Sequence, residues 1–320
     1  MDATLYPNDE FLRICITSNS VEESDFSEIE YWVNHIGNDI PLNENDAILL
    51  NKLWIYDSNN KFWYNTECKI ETDHNTIFKA WMPDHGLCVY KRIKYKFSDS
   101  INEHQFVNEF QPLTIPYIID LGNDGLVYPY KGPDLDMYFR NKCNENISKE
   151  DFHQYSICAS LIVHHKFILN TVSFIANALN TLYEKSILWP DIKLPNILFW
   201  EGKYNIIDVG SFTNFNKKET SEMFTHLTFE FDRSYKDFNT CAMGLIVLEM
   251  ICTRFDFDIL LKNTDKVIEI LNRHKDYNEI CSFLVNFLFR CHIFVNDTVE
   301  RPMPWPELYK YLTESISHLL

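Results

Sequence analysis

Four polar residues of complementary chemistry lie close together in residues 187–210, which read ILWPDIKLPNILFWEGKYNIIDVG. Asp191, Lys193 and Asn196 are separated by two and three positions, and Asp208 follows a later apolar run. A carboxylate at the tip of a loop can accept or orient a hydroxyl proton, and a nearby lysine can neutralise a transferring phosphoryl group. An amide oxygen and a second carboxylate suit Mg²⁺ that bridges phosphates. The segment is therefore a candidate phosphoryl-transfer site.

The elements around these residues follow from hydrophobic periodicity. Short apolar runs flank the Asp191 loop and predict strands, the last of them over residues 204–207. Upstream, residues 171–185 predict a helix that leads into the loop. Its apolar side is formed by Val172, Ile175, Leu179 and Leu182.

A second candidate residue lies in an earlier region that predicts strands, beginning near Lys69. Residues 76–81 and 86–93 predict a hairpin, because the residues between them include proline, aspartate and glycine. Period-two alternation places Lys91 on the apolar face of the second strand, together with Val89. Lys94 and Lys96 are the alternatives if the register differs.

Further along, residues 100–110 predict a helix, with Phe106 and Phe110 four positions apart on one face. Residues 117–121 and 126–130 predict two more strands around a glycine-containing turn. The first part of the chain therefore predicts an antiparallel sheet with one helix.

Composition limits the classes of function. The chain has 320 residues, of which 46% are hydrophobic, enough for a substantial core. Lys and Arg total 29 against 46 Asp and Glu, and the net charge of -17 would repel nucleic acid or an anionic membrane. The nine cysteines include no C-x-x-C pair, which indicates reduced thiols in a cytoplasmic or nuclear protein. No signal peptide or membrane span is predicted.

The segment 187–210 resembles the catalytic segment of the protein kinase superfamily. That family's H-R-D-L-x-x-x-N followed by D-F-G corresponds here to W-P-D-I-K-L-P-N and D-V-G. The resemblance implies that Asp191 and Lys193 are catalytic residues. It implies that Asn196 and Asp208 bind Mg²⁺ and contribute to the ATP site.

The resemblance also implies an α+β, two-lobed protein kinase-like fold. Residues 66–130 would form the small β-rich lobe and residues 131–320 the larger, mostly helical lobe. Residues 1–65 would be an acidic amino-terminal extension. The helix over residues 239–250 resembles the central helix of the large lobe, with Asn239 where the family has an aspartate. Arg301 and Glu230 are expected to form a buried ion pair.

The resemblance extends to the predicted hairpin of residues 76–81 and 86–93 and implies that it contributes to an ATP site. The runs I-F-K-A and C-V-Y-K-R-I-K are similar to the small-lobe runs V-Y-K-A and V-A-V-K-K-I, which makes Lys91 the lysine that holds the α and β phosphates. Its partner would be a glutamate on the following helix. Glu109 is the first choice because it fits the family's apolar spacings, and Glu103 is the second.

The stretch L-V-Y-P-Y-K-G-P-D-L resembles the hinge between the kinase lobes. Backbone groups around Pro129 and Tyr130 would then face the adenine. Tyr128 would limit the pocket behind it.

Two departures from the family bear on activity. Residues 70–76, where the family has a glycine-rich loop over the phosphates, contain no glycine and are acidic. Trp189 and Pro190 replace the histidine and arginine that precede the family's catalytic aspartate. In the family this arginine binds a phosphate on the activation segment, so its loss argues against control by phosphorylation of that segment. Trp189 is expected to fill the volume of the histidine.

We therefore predict an ATP- and Mg²⁺-dependent kinase of serine and threonine hydroxyls in a protein substrate. The alternative is a pseudokinase scaffold, which would contact its protein partner through residues 1–65 or an insertion at 141–151. A small-molecule kinase is a third hypothesis.

Overall fold

The computed structural model divides into two compact units, Met1–Lys131 and Gly132–Leu320. The described part of the chain is a mixed α+β structure, as the sequence indicated. The residues that the structure describes are 54–57, 59–71, 75–82, 85–94, 98–144, 156–214, 235–251, 269, 271–272, 279–291 and 302–320. The expected pair of Arg301 and Glu230, the loop 72–74 and most of the expected insertion, residues 145–151, lie outside these ranges.

The described residues of the first unit form an antiparallel sheet and one helix. The strands are β1 Trp54–Asp57, β2 Phe62–Glu71, β3 Asn75–Met82, β4 Gly86–Ile93, β5 Ile119–Asp120 and β6 Gly125–Pro129. Their spatial order is β1-β2-β3-β4-β6-β5. Helix α1, Ser98–Glu109, connects β4 to β5. In the described residues the sheet therefore begins at Trp54, whereas the strand pattern was predicted to start near Lys69. Strand β1 and the first part of β2 lie within residues 1–65, which were assigned to the amino-terminal extension.

Period-two alternation gives this sheet an apolar core on one face. Its buried members are Phe62, Phe78, Ala80, Met82, Cys88, Tyr90 and Val127. Aromatic contacts account for much of the packing: the rings of Phe78 and Tyr90 stack at 5.6 Å, and Phe62 meets Tyr90 edge-on at 5.3 Å. Lys91 follows Tyr90 directly, so its side chain lies on the opposite face with Val89, and not on the face of this apolar core, where it was predicted.

The second unit is mostly helical in its described residues. Its helices are α2 Leu135–Asn144, α3 Ser156–Glu184, α4 Tyr235–Ile251, α5 Glu279–Arg290 and α6 Trp305–Leu319. Helix α3 packs against α4, α5 and α6. Val172, Ile175 and Leu179 are fully buried on α3, which confirms the predicted apolar side. The predicted helix is longer than expected and starts at Ser156.

Two short strand pairs complete the described part of the second unit. Strand β7, Ile187–Leu188, pairs with β10, Thr213–Asn214. Strand β8, Ile197–Trp200, pairs with β9, Lys203–Ile206. Among the described residues, no helix combines the length and apolar character needed to cross a lipid bilayer.

Candidate functional site

The two strand pairs of the second unit bring the loop of Asp191 beside the loop of Asp208. In β7 and β10, Leu188 is opposite Thr213, and in β8 and β9, Ile197 is opposite Ile206. The loops 189–196 and 207–212 therefore begin and end at paired strands. Between the pairs, the Ile207 amide donates to the carbonyl oxygen of Asn196 at 2.9 Å. The segments that contain Asn196 and Asp208, 12 positions apart in sequence, are thus neighbours because the two strand pairs align their loops.

Asp191 is held in place by two of the residues predicted to act with it. Asp191 Oδ2 accepts hydrogen bonds from Lys193 Nζ at 2.8 Å and from Asn196 Nδ2 at 3.0 Å. Asn196 Nδ2 also donates to the backbone oxygen of Asp191 at 2.8 Å. Asn196 is buried, whereas Asp191 and Lys193 are partly exposed. The arrangement orients a carboxylate that can still be approached by a substrate hydroxyl.

Asp208 adopts a backbone conformation that is uncommon for a residue with a side chain. Its φ of 57° and ψ of 49° are left-handed, which Asp and Asn tolerate better than most residues. It lies between β9 and the 3-10 turn Val209–Ser211, and it is exposed. Lys61, Ser186 and Glu201 also have a positive φ, so what distinguishes Asp208 is its exposed carboxylate next to the Asn196 segment.

Trp189 occupies the position where the sequence departs from the kinase pattern. Its side chain is completely buried, and its ring meets that of Phe212 at 5.9 Å. Trp189 thus packs the Asp191 loop against the segment that follows Asp208. In the described part of the chain, its Nε1 donor has no hydrogen-bond acceptor. The indole therefore fills space between the two loops through its ring and not through a hydrogen bond of Nε1 to the described residues.

Aromatic side chains pack the β8–β9 hairpin against helix α3. The ring centroids of Phe199 on β8 and Tyr204 on β9 are 4.7 Å apart, and those of Phe167 on α3 and Phe199 are 4.9 Å apart. The hydroxyls of Tyr204 and Thr171 form a hydrogen bond of 3.0 Å. Helix α3 therefore anchors the hairpin that carries the residues between Asn196 and Asp208.

In the first unit, Lys91 forms a buried ion pair with Glu103. Lys91 Nζ donates to Glu103 Oε2 at 2.7 Å and to Oε1 at 2.9 Å. Only 8% of Lys91 and 6% of Glu103 are exposed. Lys94 is exposed and lies near Glu71 instead. Of the two candidate lysines within the described residues, Lys91 and Lys94, Lys91 is the one whose ammonium group is bound by both oxygens of a buried carboxylate. Lys96, the other alternative, lies outside the described residues.

Glu109 was the first choice as the partner of Lys91, and this prediction is wrong. Glu109 is exposed, whereas Phe106, Val107 and Phe110 form the buried side of α1. Glu103 precedes these residues by three, four and seven positions, so it lies on the same side of the helix. This spacing was visible in the sequence and was the signal that supported Glu103 as a candidate.

Tyr128, Pro129 and Tyr130 lie where β6 ends. Tyr128 and Pro129 are opposite Val89 and Cys88 of β4, and Tyr130 follows directly. The Tyr128 hydroxyl donates to Glu103 Oε1 at 2.9 Å. Strand register explains this contact, because Val89 lies on the Lys91 face and its cross-strand partner Tyr128 shares that face.

Two isoleucines on the Lys91 face were not predicted as candidates. Ile70 is opposite Ile77 in β2 and β3, and Ile77 is opposite Lys91 in β3 and β4. The three side chains therefore form a row across one face of the sheet. Ile70 is 64% exposed, so the row offers uncovered apolar surface beside a lysine. Parity counting along the strands was the signal that could have found them.

Glu71 is the described acidic residue at the start of the glycine-free loop. Lys69 Nζ lies 2.7 Å from Glu71 Oε1, and Lys94 Nζ lies 3.7 Å from Oε2. The hydrogen bond and charge of Lys69, together with Lys94, lower the pKa of the Glu71 carboxyl. Two lysines therefore offset the charge of Glu71, whereas Asp73, the other acidic residue of this loop, lies outside the described residues.

In the described ranges, no group of three or more His, Cys, Asp or Glu side chains is arranged to hold a metal ion by itself. Known protein-family profiles do not match the chain, and no curated protein sequence matches it significantly. The function therefore has to be inferred from the residues and their geometry.

Proposed function

We propose that this chain is a divergent protein kinase of the two-lobed, protein kinase-like fold, which transfers the γ-phosphate of ATP to serine or threonine hydroxyls of a protein. The observation that carries the proposal is the cluster at Asp191, whose carboxylate accepts hydrogen bonds from both Lys193 and Asn196. Phosphoryl transfer depends mainly on positioning and on charge stabilisation, and this cluster supports both.

In the proposed reaction, Asp191 orients the acceptor hydroxyl and accepts its proton. Lys193, held 2.8 Å from Asp191, is close enough to neutralise charge on the transferring phosphoryl group. A lysine two positions after the aspartate is the pattern of Ser/Thr kinases within the family that the sequence resembles. These residues therefore favour an aliphatic hydroxyl as the acceptor.

The residues present also fit magnesium and ATP. Mg²⁺ is usually held by one or two protein groups and by phosphate oxygens, so Asp208 and the amide oxygen of Asn196 are a suitable donor set. When bound, Mg²⁺ neutralises phosphate charge. In the first unit, the ion pair with Glu103 orients Lys91 for the α and β phosphates. Pro129 and Tyr130 supply backbone groups for the adenine.

The test of catalysis is Asp191→Asn. This change keeps the size of the side chain and removes its ability to accept a proton at neutral pH. We expect transfer of labelled phosphate from ATP to serine- and threonine-containing peptides to fall by about 10²- to 10⁴-fold, with little change in ATP binding. Glu201→Gln is the matched control, because Glu201 is an exposed carboxylate at the turn of the same hairpin. Full transfer by Asp191→Asn, or equal loss in both variants, contradicts the assignment.

A pseudokinase scaffold is the second candidate, and the absence of glycine from residues 70–76 favours it. Glycine-rich backbone approaches phosphates closely, and residues with side chains approach them less well. Thermal unfolding with and without millimolar Mg-ATP separates the two functions, because a ligand that binds the native state raises the melting temperature. An unchanged melting temperature, with no phosphate transfer, favours the scaffold.

A further inference from the structure

The hydroxyl of Tyr128 makes a contact that a purely pocket-limiting role does not require. It donates to Glu103 Oε1 at 2.9 Å, and the same oxygen accepts from Lys91 Nζ at 2.9 Å. Glu103 Oε2 accepts from Lys91 at 2.7 Å. One carboxylate on helix α1 is therefore bound by side chains from two strands, β4 and β6.

The register of the sheet explains why these three groups meet. Lys91 is opposite Leu126, and Tyr128 is opposite Val89. Opposite residues of an antiparallel pair point to the same face, so Lys91 and Tyr128 are diagonal neighbours on one face. Glu103 lies on the buried side of α1, in line with Phe106 and Phe110. The helix thus places its carboxylate within reach of both strands.

A buried ion pair of two long side chains needs additional hydrogen bonds to stay in one geometry. The lysine stem is flexible, and its ammonium group is a point charge that does not impose an orientation on a carboxylate. Tyrosine differs because its ring is rigid and holds the hydroxyl at a set distance from the strand. A hydroxyl that donates to an ionised carboxylate makes a strong, charge-assisted hydrogen bond.

We infer that Tyr128 is a positioning residue, whose hydroxyl holds Glu103 against Lys91 and keeps helix α1 packed on the sheet. The consequence for nucleotide rests on the proposed function: Lys91 presents its ammonium group to the phosphates only while Glu103 is held in place. The ring and the hydroxyl of Tyr128 then have separate roles, since the ring can limit a pocket and only the hydroxyl positions Glu103.

The test is Tyr128→Phe in the full chain, which removes the hydroxyl and keeps the ring. Tyr117→Phe is the matched control, because the Tyr117 hydroxyl also bonds to α1, through Asn108 Nδ2 at 3.2 Å, but on its exposed side. We expect amide hydrogen exchange within α1 to become faster on the order of tenfold in Tyr128→Phe, and to be unchanged in Tyr117→Phe. Unchanged exchange in both variants overturns the positioning role.

The second measurement is the dissociation constant for Mg-ATP. In Tyr128→Phe it should rise by about tenfold, and in a Glu103→Ala background the same change should have no further effect, because the hydroxyl acts through Glu103. An equal effect in both backgrounds overturns the inference, since Tyr128 would then act directly on the ligand. If wild type binds no Mg-ATP while α1 exchange responds as expected, the positioning role is supported and the proposed kinase function fails.

Discussion

Asn196 combines two roles that a single substitution can separate. Its amide nitrogen donates to the backbone oxygen and to the carboxylate of Asp191, at 2.8 Å and 3.0 Å. Its amide oxygen is the group proposed to bind Mg²⁺. An aspartate at this position would keep oxygen ligands and lose both donors. The role of Asn196 in shaping the loop can therefore be measured without ATP.

We predict that Asn196→Asp lowers the free energy of unfolding by about 3 kcal/mol at pH 7. The new carboxylate would be buried, would lack the two hydrogen bonds to Asp191 and would lie beside another negative charge. Urea denaturation of the two proteins gives the difference.

The matched control is Asn177→Asp on helix α3. Asn177 Oδ1 accepts a hydrogen bond from the Tyr309 hydroxyl at 2.7 Å, and a carboxylate can accept that bond equally well. The control should lose little stability. If Asn196→Asp is as stable as the control, the amide nitrogen of Asn196 does not hold the loop.

At the scale of elements, the contact between β4 and β6 depends on a glycine. Gly125 begins β6 opposite Arg92, with a φ of 135°. A Cβ atom at this position would lie 2.0 Å from the Lys91 carbonyl oxygen, a distance that requires the backbone to move. The register that places Tyr128 and Lys91 on one face therefore requires a residue without a side chain.

We predict that Gly125→Ala lowers the free energy of unfolding by about 3 kcal/mol or more, because it combines a backbone clash with a conformation that is almost restricted to glycine. Urea denaturation measures the loss of stability, and hydrogen exchange of the β4 and β6 amides shows whether the loss is located at these strands. Gly122→Ala is the matched control, since Gly122 also has a positive φ, of 62°, but a Cβ atom there would have nothing within 4 Å. It should cost only about 1 kcal/mol. Equal losses in the two variants would rule out the clash as the cause.

At the scale of the whole molecule, buried thiol and tyrosine hydroxyl groups limit stability at alkaline pH. Burial raises the pKa of the Cys88 thiol and of the Tyr90 hydroxyl to about 12, from ordinary values of 9.0 and 10.0. Burial raises the pKa of the Tyr204 hydroxyl in the second unit to about 12 as well. Both units therefore contain groups that lose a proton more easily when the chain is unfolded.

We predict that stability is retained below about pH 9 and declines as the pH rises toward 12. In that interval the unfolded chain releases protons that the folded chain retains, so each such group lowers the free energy of unfolding by about 1.4 kcal/mol per pH unit once its unfolded pKa is passed. Urea denaturation at pH 8, 10 and 11 measures the slope.

Tyr90→Phe and Tyr204→Phe isolate the contributions of the two hydroxyls. Each variant should show a less steep decline between pH 10 and 11 than the wild type. A constant offset between variant and wild type at every pH would mean that the hydroxyls contribute through hydrogen bonds and not through titration.

The sequence by itself determined the parts that depend on neighbours along the chain. The spacing of Asp191, Lys193 and Asn196 indicated a cluster within one loop, and period-two alternation indicated that Lys91 shares a face with Val89. The apolar positions of α3 were correct for the same reason, since the side that a helix buries follows from its own repeat. These features depend on local backbone geometry, which the sequence encodes directly.

The tertiary structure decided which helix and strand groups meet. Glu103, and not Glu109, lies against Lys91, because the rotation of α1 places Glu103 on its buried side, with Phe106 and Val107, and Glu109 on its exposed side. The contact between Tyr128 and Glu103 depends on the same rotation and on the register between β4 and β6. Contacts of this kind join residues 12 and 25 positions apart, and they form only when separate elements pack together, so residue spacing alone could suggest candidates for them without choosing the pair.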